Sequence, residues 1–259
     1  MSELAGHDLR LAYGDHVIVD DLTVAVPPGS FTALIGPNAC GKSTLLKALA
    51  RLLRPTAGAV TLDGVDLHGL PTKQVARQLA MLAQSAAAPE GITVHQLVSR
   101  GRFPHQGMLH QWSEADEQAV AAALRACGLT ELARRSVTTL SGGQRQRAWL
   151  ALALAQETEL LLLDEPTTYL DITHQIEVLD LCRRLNAGGT TILAVLHDIN
   201  QACRYADHLV ALRAGRLIAQ GPPEEIVTAE LIEEVFGLDC RVVPDPETGT
   251  PLIVPKAPS

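Results

Sequence analysis

This sequence lacks the patterns that would place it in a membrane, link it by disulfide bonds or build a metal site. No run approaches the roughly 20 apolar residues of a membrane-spanning helix, and the first ten residues lack the apolar stretch of a signal peptide. The five cysteines show no C-x-x-C spacing and the nine histidines show no metal-site spacing. We therefore expect a soluble, cytosolic chain with reduced thiols.

The chain also has no excess of positive charge. Its formal net charge is -8, whereas nucleic-acid binding usually needs a basic face, so no nucleic-acid partner is predicted. This charge does not exclude ATP, because charges beyond a Debye length of about 8 Å are largely screened. With 259 residues, 47% of them hydrophobic, the chain has ample material for a core.

A glycine-rich loop lies between a predicted strand at 31–35 and a helical run of leucines. It matches G-x-x-x-x-G-K-[ST], in which backbone amides point at nucleotide phosphates. Lys42 would reach the outer phosphates and the Ser43 hydroxyl would bind the bridging Mg²⁺. The alternative, a glycine turn with a surface lysine, does not explain the strand and helix on either side. The predicted ATP-binding residues are Gly36, Pro37, Asn38, Ala39, Cys40, Gly41, Lys42, Ser43 and Thr44.

Two predicted buried strands end in residues suited to phosphate chemistry. The leucine run at 160–163 is typical of a central parallel strand, and it ends in Asp164 and Glu165. Because ligands bind at the carboxyl ends of such strands, we expect Asp164 to bind Mg²⁺ and Glu165 to polarise the attacking water. The alternative is that both acids only cap a turn at Pro166. A strand at 190–196 brings His197 to the same edge, where it could meet the terminal phosphate.

Two further features leave alternatives open. Tyr13 lies in a predicted antiparallel N-terminal segment, where its ring could stack on adenine, although ordinary packing is more common for such a tyrosine. Ser141, Gly142 and Gly143 precede a helical run. A capped helix start explains this pattern by itself, and a second phosphate contact there needs further support.

The order of these elements predicts an α/β fold. We expect a P-loop NTPase core, with a mostly parallel sheet flanked by helices, an N-terminal antiparallel β-subdomain and an inserted helical subdomain. One nucleotide-binding domain would span 1–259, with the core at about 1–84 and 155–259 and the helical subdomain at about 85–154. A closing hairpin is predicted from two short strands at 241–243 and 252–254.

The motifs together resemble the ATP-binding subunit of ABC transporters, and the resemblance covers nearly the whole chain. The matching features, in order, are the phosphate loop, Gln84, LSGGQRQR at 140–147, LLLLDEP at 160–166 and His197. The resemblance implies that Tyr13 stacks on adenine and that Gln84 senses magnesium and the attacking water beside a transmembrane partner. It also implies that Glu165 is the catalytic carboxylate and His197 the switch histidine.

The same resemblance implies that a second copy completes the site. Ser141, Gly142, Gly143 and Gln144 match the signature that in this family completes the ATP site of the opposite subunit, and Asp171 matches the loop that communicates across the interface. Two copies would close head to tail over two ATP molecules and reopen after hydrolysis. They would be peripheral proteins, docked on a membrane permease at the cytoplasmic face of the inner (cell) membrane.

Four further stretches resemble importers of ferric siderophores, with haem and cobalamin importers as near relatives. These stretches are 101–107, 165–181, 196–212 and 237–255. The resemblance implies import of an iron chelate, with a solute-binding protein as an indirect partner. A soluble ABC-type ATPase without a permease is an alternative, but the chain has neither a second cassette nor charged heptads. A small-molecule kinase would have no use for the signature helix.

Two positions depart from the family pattern. Ala39 stands where glycine is common, and alanine would cost about 1 kcal/mol if this backbone needs a positive φ. Thr168 and Tyr169 replace the more usual Ser-Ala, although this pair matches the siderophore branch.

Overall fold

The computed structural model of the chain describes residues 2–84, 91–107 and 112–257. It divides into two compact units, the first Met1–Gly69 with Thr191–Ser259 and the second Leu70–Thr190. These units do not follow the boundaries expected from the sequence, so the helical subdomain at 85–154 stays a prediction, and residues 85–90 lie outside the described ranges. Within those ranges, no helix has the length and apolar character needed to cross a membrane.

Twelve strands occur in the described residues. They are β1 (Leu4–Tyr13), β2 (His16–Val26), β3 (Phe31–Ile35), β4 (Ala57–Leu62), β5 (Val65–Asp66), β6 (Leu79–Leu82), β7 (Leu160–Leu163), β8 (Thr191–Val195), β9 (His208–Arg213), β10 (Arg216–Gly221), β11 (Cys240–Pro244) and β12 (Pro251–Pro255).

Nine α-helices occur in the same ranges. They are α1 (Lys42–Leu49), α2 (Thr72–Ala76), α3 (Val94–Ser99), α4 (Glu114–Ala126), α5 (Gly142–Leu154), α6 (Ile172–Ala187), α7 (Ile199–Tyr205), α8 (Pro223–Ile226) and α9 (Ala229–Phe236). Short 3-10 helices lie at Arg100–His105, Thr130–Leu132 and Val137–Thr139.

One sheet of the first unit is antiparallel, as predicted for the N-terminal segment, with the strand order β2-β1-β4-β5. Leu9 and Leu11 of β1 are fully buried, and Gly14 turns the chain into β2 at φ 60°. β2 is a single strand from His16 to Val26, although Asp21 within it takes a φ of 55°. On its other side β1 pairs with β4, and β3 belongs to a different sheet.

A second sheet of this unit carries the phosphate loop. β3 pairs in parallel with both β8 and β9, and β10 pairs antiparallel with β9. All five residues of β3 are buried, which explains its nearly continuous apolar sequence. The phosphate loop therefore leaves the carboxyl end of a fully covered strand.

The second unit contains two parallel strands and five of the α-helices. β6 pairs with β7 along their whole length, and every leucine of β7 is buried. The described residues between 91 and 159 form no named strand, as the sequence analysis expected, and α3, α4 and α5 pack on one another there. β6 ends at Leu82, so Gln84 lies just beyond it.

The predicted closing hairpin is confirmed as β11 and β12, with Val242 opposite Ile253. It is fixed to α7 of the same unit. The Asn200 side chain accepts a hydrogen bond from the Ile253 amide at 2.8 Å and donates one to its carbonyl at 3.3 Å. Arg204 forms an ion pair with Asp245 at 2.7 Å. The tail is thus held by specific polar contacts.

All five cysteines are free and buried. Burial raises the pKa of the Cys127, Cys182 and Cys203 thiols to about 12, so these three stay protonated at neutral pH and act as small apolar side chains.

Candidate functional site

The phosphate loop is closed on itself by its lysine. Lys42 Nζ donates to the carbonyl oxygens of Gly36 and Pro37, each at 2.8 Å, and Lys42 is only 5% exposed. Gly36 has a φ of 146°, and a Cβ there would lie 2.1 Å from the carbonyl oxygen of Leu212, so only glycine fits. Gly41, at φ 107°, leads directly into α1. The predicted loop is therefore a compact turn at a helix N-terminus.

Ala39 does adopt a left-handed backbone conformation, so the condition for an energetic cost of alanine at this position is met. Its φ is 61°, a region that costs a residue with a Cβ about 1 kcal/mol. The residue is exposed, so burial does little to offset this strain. The phosphate loop is thus strained at one position where glycine would relax it.

Three other loop residues lie close to Lys42 in the sequence. Cys40 is buried, with its Sγ 4.0 Å from Lys42 Nζ. Ser43 and Thr44 are half-buried in the first turn of α1. These positions suit residues that contact phosphate through the backbone and magnesium through one hydroxyl.

Strand β2 flanks the loop. A Cβ on Gly41 would lie 3.1 Å from a methyl of Val19 and 3.4 Å from one of Ile18. Tyr13 ends the adjoining strand β1 and is 49% exposed, which leaves part of its ring accessible. Stacking of Tyr13 on adenine stays a prediction.

An open pocket brings His197 together with the phosphate loop. Its lining residues are Gly36, Pro37, Asn38, His197 and Phe236. His197 follows β8, which is parallel to β3, so the two carboxyl ends lie at one edge of the sheet, as predicted. Phe236, the last residue of α9, was not predicted. Its only sequence signal is its place at the end of an amphipathic helix, and nothing local places that helix beside the loop.

In the second unit, the structure brings Gln84 and Glu165 together across 81 positions of sequence. Gln84 Nε2 donates to Glu165 Oε2 at 2.6 Å, and Thr168 Oγ1 donates to the same oxygen at 3.1 Å. Glu165 has a φ of 55°, which turns the chain sharply after β7. Asp164, only 1% exposed, is anchored by a 2.9 Å bond from its amide to the Leu82 carbonyl. The predicted acids thus stand in fixed positions at the end of β7.

The signature segment begins α5 with a capping box. Ser141 Oγ accepts a bond from the Gln144 amide at 3.3 Å, and Gln144 Oε1 accepts one from the Ser141 amide at 3.2 Å. The capped helix start that the sequence suggested is therefore present. Among the described residues, and apart from the backbone of its own helix, a Cβ on Gly142 would meet nothing within 4 Å, so this side of the first turn is open. The phosphate contact of the segment stays a prediction.

Asp171 caps the next helix, α6. Its Oδ1 accepts a bond from the His174 amide at 3.0 Å and lies 2.7 Å from His174 Nδ1. These hydrogen bonds, the backbone one first, lower the pKa of the Asp171 carboxyl. His174 was missed by the sequence analysis, although its place three residues after an N-cap aspartate was a local signal.

Comparison with known proteins decides the family. The model of the ABC transporter family matches residues 19–168. This chain belongs to the ABC transporter family. The ferric enterobactin transport ATP-binding protein of Escherichia coli is 57% identical, covering 98% of this chain and 94% of that protein. The petrobactin import ATP-binding protein of Bacillus anthracis is 56% identical, covering 95% and 91% respectively.

A solved structure of a metal-chelate type ABC transporter, in an inward-facing conformation, has the same fold. It matches with a TM-score of 0.84 at 30% identity, over 99% of this chain and 98% of that one. The predicted α/β fold of the P-loop NTPase type, with its additional antiparallel sheet, is confirmed. This ABC protein binds ATP and is an ATPase. His197, Phe236, Asp171 and His174 lie beyond the residues that the family model matches.

Proposed function

We propose that this ABC ATPase energises import of a ferric siderophore through a partner membrane permease. The observation that carries the proposal is full-length similarity to relatives named for ferric enterobactin and petrobactin, at 57% and 56% identity. A solute-binding protein would deliver the chelate to the permease. The ATPase would be peripheral, at the cytoplasmic face of the cell membrane.

Glu165 is the proposed catalytic carboxylate. Two hydrogen bonds to one of its oxygens, from Gln84 and Thr168, fix the direction of the carboxyl group. A carboxylate held in this way can orient and polarise the attacking water. Because Gln84 bonds the catalytic group directly, a movement of the chain at Gln84 would displace Glu165. This contact supports the proposed sensing role of Gln84.

Lys42 and His197 are the proposed contacts of the outer phosphates. Lys42 Nζ, which bonds two loop carbonyls, would exchange these neutral acceptors for charged phosphate oxygens, a stronger interaction. His197 lines the pocket beside Gly36, Pro37 and Asn38, which supports its role at the terminal phosphate.

Ser43, Gln84 and Asp164 are the proposed Mg²⁺-binding residues. Mg²⁺ prefers oxygen ligands, and a hydroxyl, an amide oxygen and a carboxylate supply this donor set, so these residues fit the ion. Mg²⁺ would neutralise charge on the nucleotide phosphates.

We also propose that two copies close head to tail over two ATP molecules. The open side of the first turn of α5 at Gly142 supports a contact there. Beside Asp171, the side chain of Tyr169 is 93% exposed, and a large exposed ring next to a candidate site is typical of an interaction surface.

The cargo can be tested by uptake of radioactive iron presented on a panel of siderophores. Cells lacking this chain would be complemented with the unmutated protein, Lys42→Ala or Glu165→Gln. We expect entry of one chelate to stop in both variants while ionic iron and the other chelates continue. His95→Ala, which lies outside the site, serves as the matched control and should restore uptake. Unchanged entry of every chelate would refute siderophore import, and haem and cobalamin would be tested next.

A further inference from the structure

We propose that His174 is a positioning residue for ATP hydrolysis: held by Asp171, it fixes the first turn of α5, which carries the signature glycines. The inference rests on the proposed closing of two copies over ATP, because Asp171 and the signature would both face the second copy. It assigns to the D-x-x-H spacing at 171–174 a function within each copy.

The contact between His174 and the signature is close. Gly143 is buried, and a Cβ on it would lie 2.7 Å from Cδ2 and 2.9 Å from Cγ of the His174 ring. Atoms of a side chain do not approach at such distances, so the ring occupies the space that any larger residue would need. An alanine at this position would therefore displace the His174 ring.

The histidine is itself held in place. Asp171 Oδ1 binds both the backbone amide and the ring Nδ1 of His174, which restricts the side chain. The next turn offers a second contact between the same helices, since Arg147 Nη1 lies 3.7 Å from Glu177 Oε2. The first two turns of α5 and α6 thus approach each other at two points, one helical turn apart.

This arrangement links the loop that ends at Asp171 to the signature at the start of α5. The loop that ends at Asp171 is fixed to α6 by the cap, and α6 is fixed to the signature by the His174 ring. A displacement of the loop by the second copy would reach Gly143 through one packed side chain. Removing the ring would loosen the signature without touching the phosphate loop, so hydrolysis should suffer more than ATP binding.

The first test is a rescue experiment on ATP hydrolysis. Gly143→Ala should lower the rate at least tenfold, because the added methyl collides with the His174 ring. In the His174→Ala background the methyl has room, so Gly143→Ala should lower the rate of ATP hydrolysis less than twofold. Gly142→Ala is the matched control, since its methyl would meet no neighbour within 4 Å in the described part of the chain, and any loss of rate should be equal in both backgrounds. An equal loss from Gly143→Ala in both backgrounds would overturn the proposal.

The second test separates positioning from simple destabilisation. His174→Ala should lower kcat about tenfold and leave KM for ATP within twofold. His95→Ala is the matched control, because His95 forms a similar exposed pair with Glu117 at 3.1 Å, with 37% of its side chain exposed against 34% for His174. His95→Ala should keep the kcat of the unmutated protein, and its melting temperature should be similar to that of His174→Ala. A normal kcat for His174→Ala, or a loss shared by His95→Ala, would overturn the proposal.

The ATP-bound dimer distinguishes this inference from the proposed function. Glu165→Gln should accumulate a dimer on size-exclusion chromatography with ATP, and adding His174→Ala should weaken that dimer at least fivefold. No dimer with Glu165→Gln alone would refute the closing of two copies, and the inference with it. A dimer of equal strength with and without His174 would refute the inference alone.

Discussion

Three non-glycine residues of the candidate site have a left-handed backbone. They are Ala39 at φ 61°, Glu165 at φ 55° and Tyr169 at φ 63°. Each such residue costs about 1 kcal/mol or more, and such strain concentrates at functional sites. Glu165 is compensated by its hydrogen bonds with Gln84 and Thr168. Ala39, exposed on the phosphate loop, is the position where strain can be relieved without loss of a side-chain contact.

We predict that Ala39→Gly raises the free energy of unfolding by about 0.5–1 kcal/mol. Glycine removes the left-handed strain but adds unfolded-chain entropy, and the two terms partly cancel. Urea unfolding would measure the difference. Ala122→Gly in the middle of α4 is the control, since glycine should lower stability there by about 1 kcal/mol. A loss of stability in both variants would contradict the assignment of strain to Ala39.

At the scale of elements, strands and loops were predictable where the local pattern and the fold agree. The phosphate loop, the buried leucines of β7 and the closing hairpin follow from residues adjacent in sequence. Phe236 and the contact between Gly143 and His174 were missed, because each depends on which helices pack together. The same limit applies to the pairing of β1 with β4, which joins strands more than 40 residues apart.

Helix α9 delivers Phe236 to the pocket of the phosphate loop. Leu231, Ile232 and Val235 anchor the helix by burial, and Gly237 ends it in a left-handed cap at φ 69°. Arg213, which ends β9, also donates a hydrogen bond to the Glu234 carbonyl. The ring of Phe236 is therefore held beside His197 by a rigid element.

We predict that Phe236→Ala lowers kcat for ATP hydrolysis about fivefold, because the pocket around His197 loses one wall. Steady-state kinetics would measure this, with Leu238→Ala as the control. Leu238 lies two residues further on, is 37% exposed and does not line the pocket. Equal kcat values for the two variants would show that Phe236 only packs α9.

A buried ion pair between Arg102 and Asp116 fixes the 3-10 segment Arg100–His105 to α4, and Arg102 also pairs with the more exposed Glu157. Arg102 Nε bonds Asp116 Oδ1 at 2.9 Å and its Nη1 bonds Glu157 Oε2 at 2.6 Å. The hydrogen bond from Arg102 is the main cause that holds the pKa of Asp116 at about 2. Since the pKa is lower in the folded state than in the unfolded chain, this carboxylate stabilises the fold at neutral pH.

We predict that Asp116→Asn lowers the free energy of unfolding by about 2–3 kcal/mol at pH 7. The stabilisation from Asp116 is fully present above the unfolded pKa of about 4 and is lost as the pH falls through about 2. The difference between variant and unmutated protein should therefore shrink over this range in urea titrations. The exposed pair of Arg10 and Asp20, at 3.5 Å, is the control, and Asp20→Asn should change stability by less than about 0.5 kcal/mol at any pH.

At the scale of the whole molecule, the predicted site residues divide between the two compact units. Tyr13, the phosphate loop and His197 belong to the first unit, whereas Gln84, Glu165, the signature and Asp171 belong to the second. Under the proposed closing of two copies, the signature of one copy would meet the ATP held by the phosphate loop of the other.

We predict that Tyr169→Asp weakens the ATP-dependent dimer of the Glu165→Gln variant at least tenfold. The ring of Tyr169 is 93% exposed and lies two residues before Asp171, which would face the second copy. In a closed dimer this ring would be buried. A charge at this position would then lose its contact with water, which weakens the dimer. Analytical ultracentrifugation with ATP would measure the dissociation constant. Phe103→Asp is the matched control. The ring of Phe103 is 75% exposed in the same unit and lies far from the signature and Asp171 in sequence. This variant should leave the dimer intact. A dimer that survives Tyr169→Asp would exclude this loop from the interface.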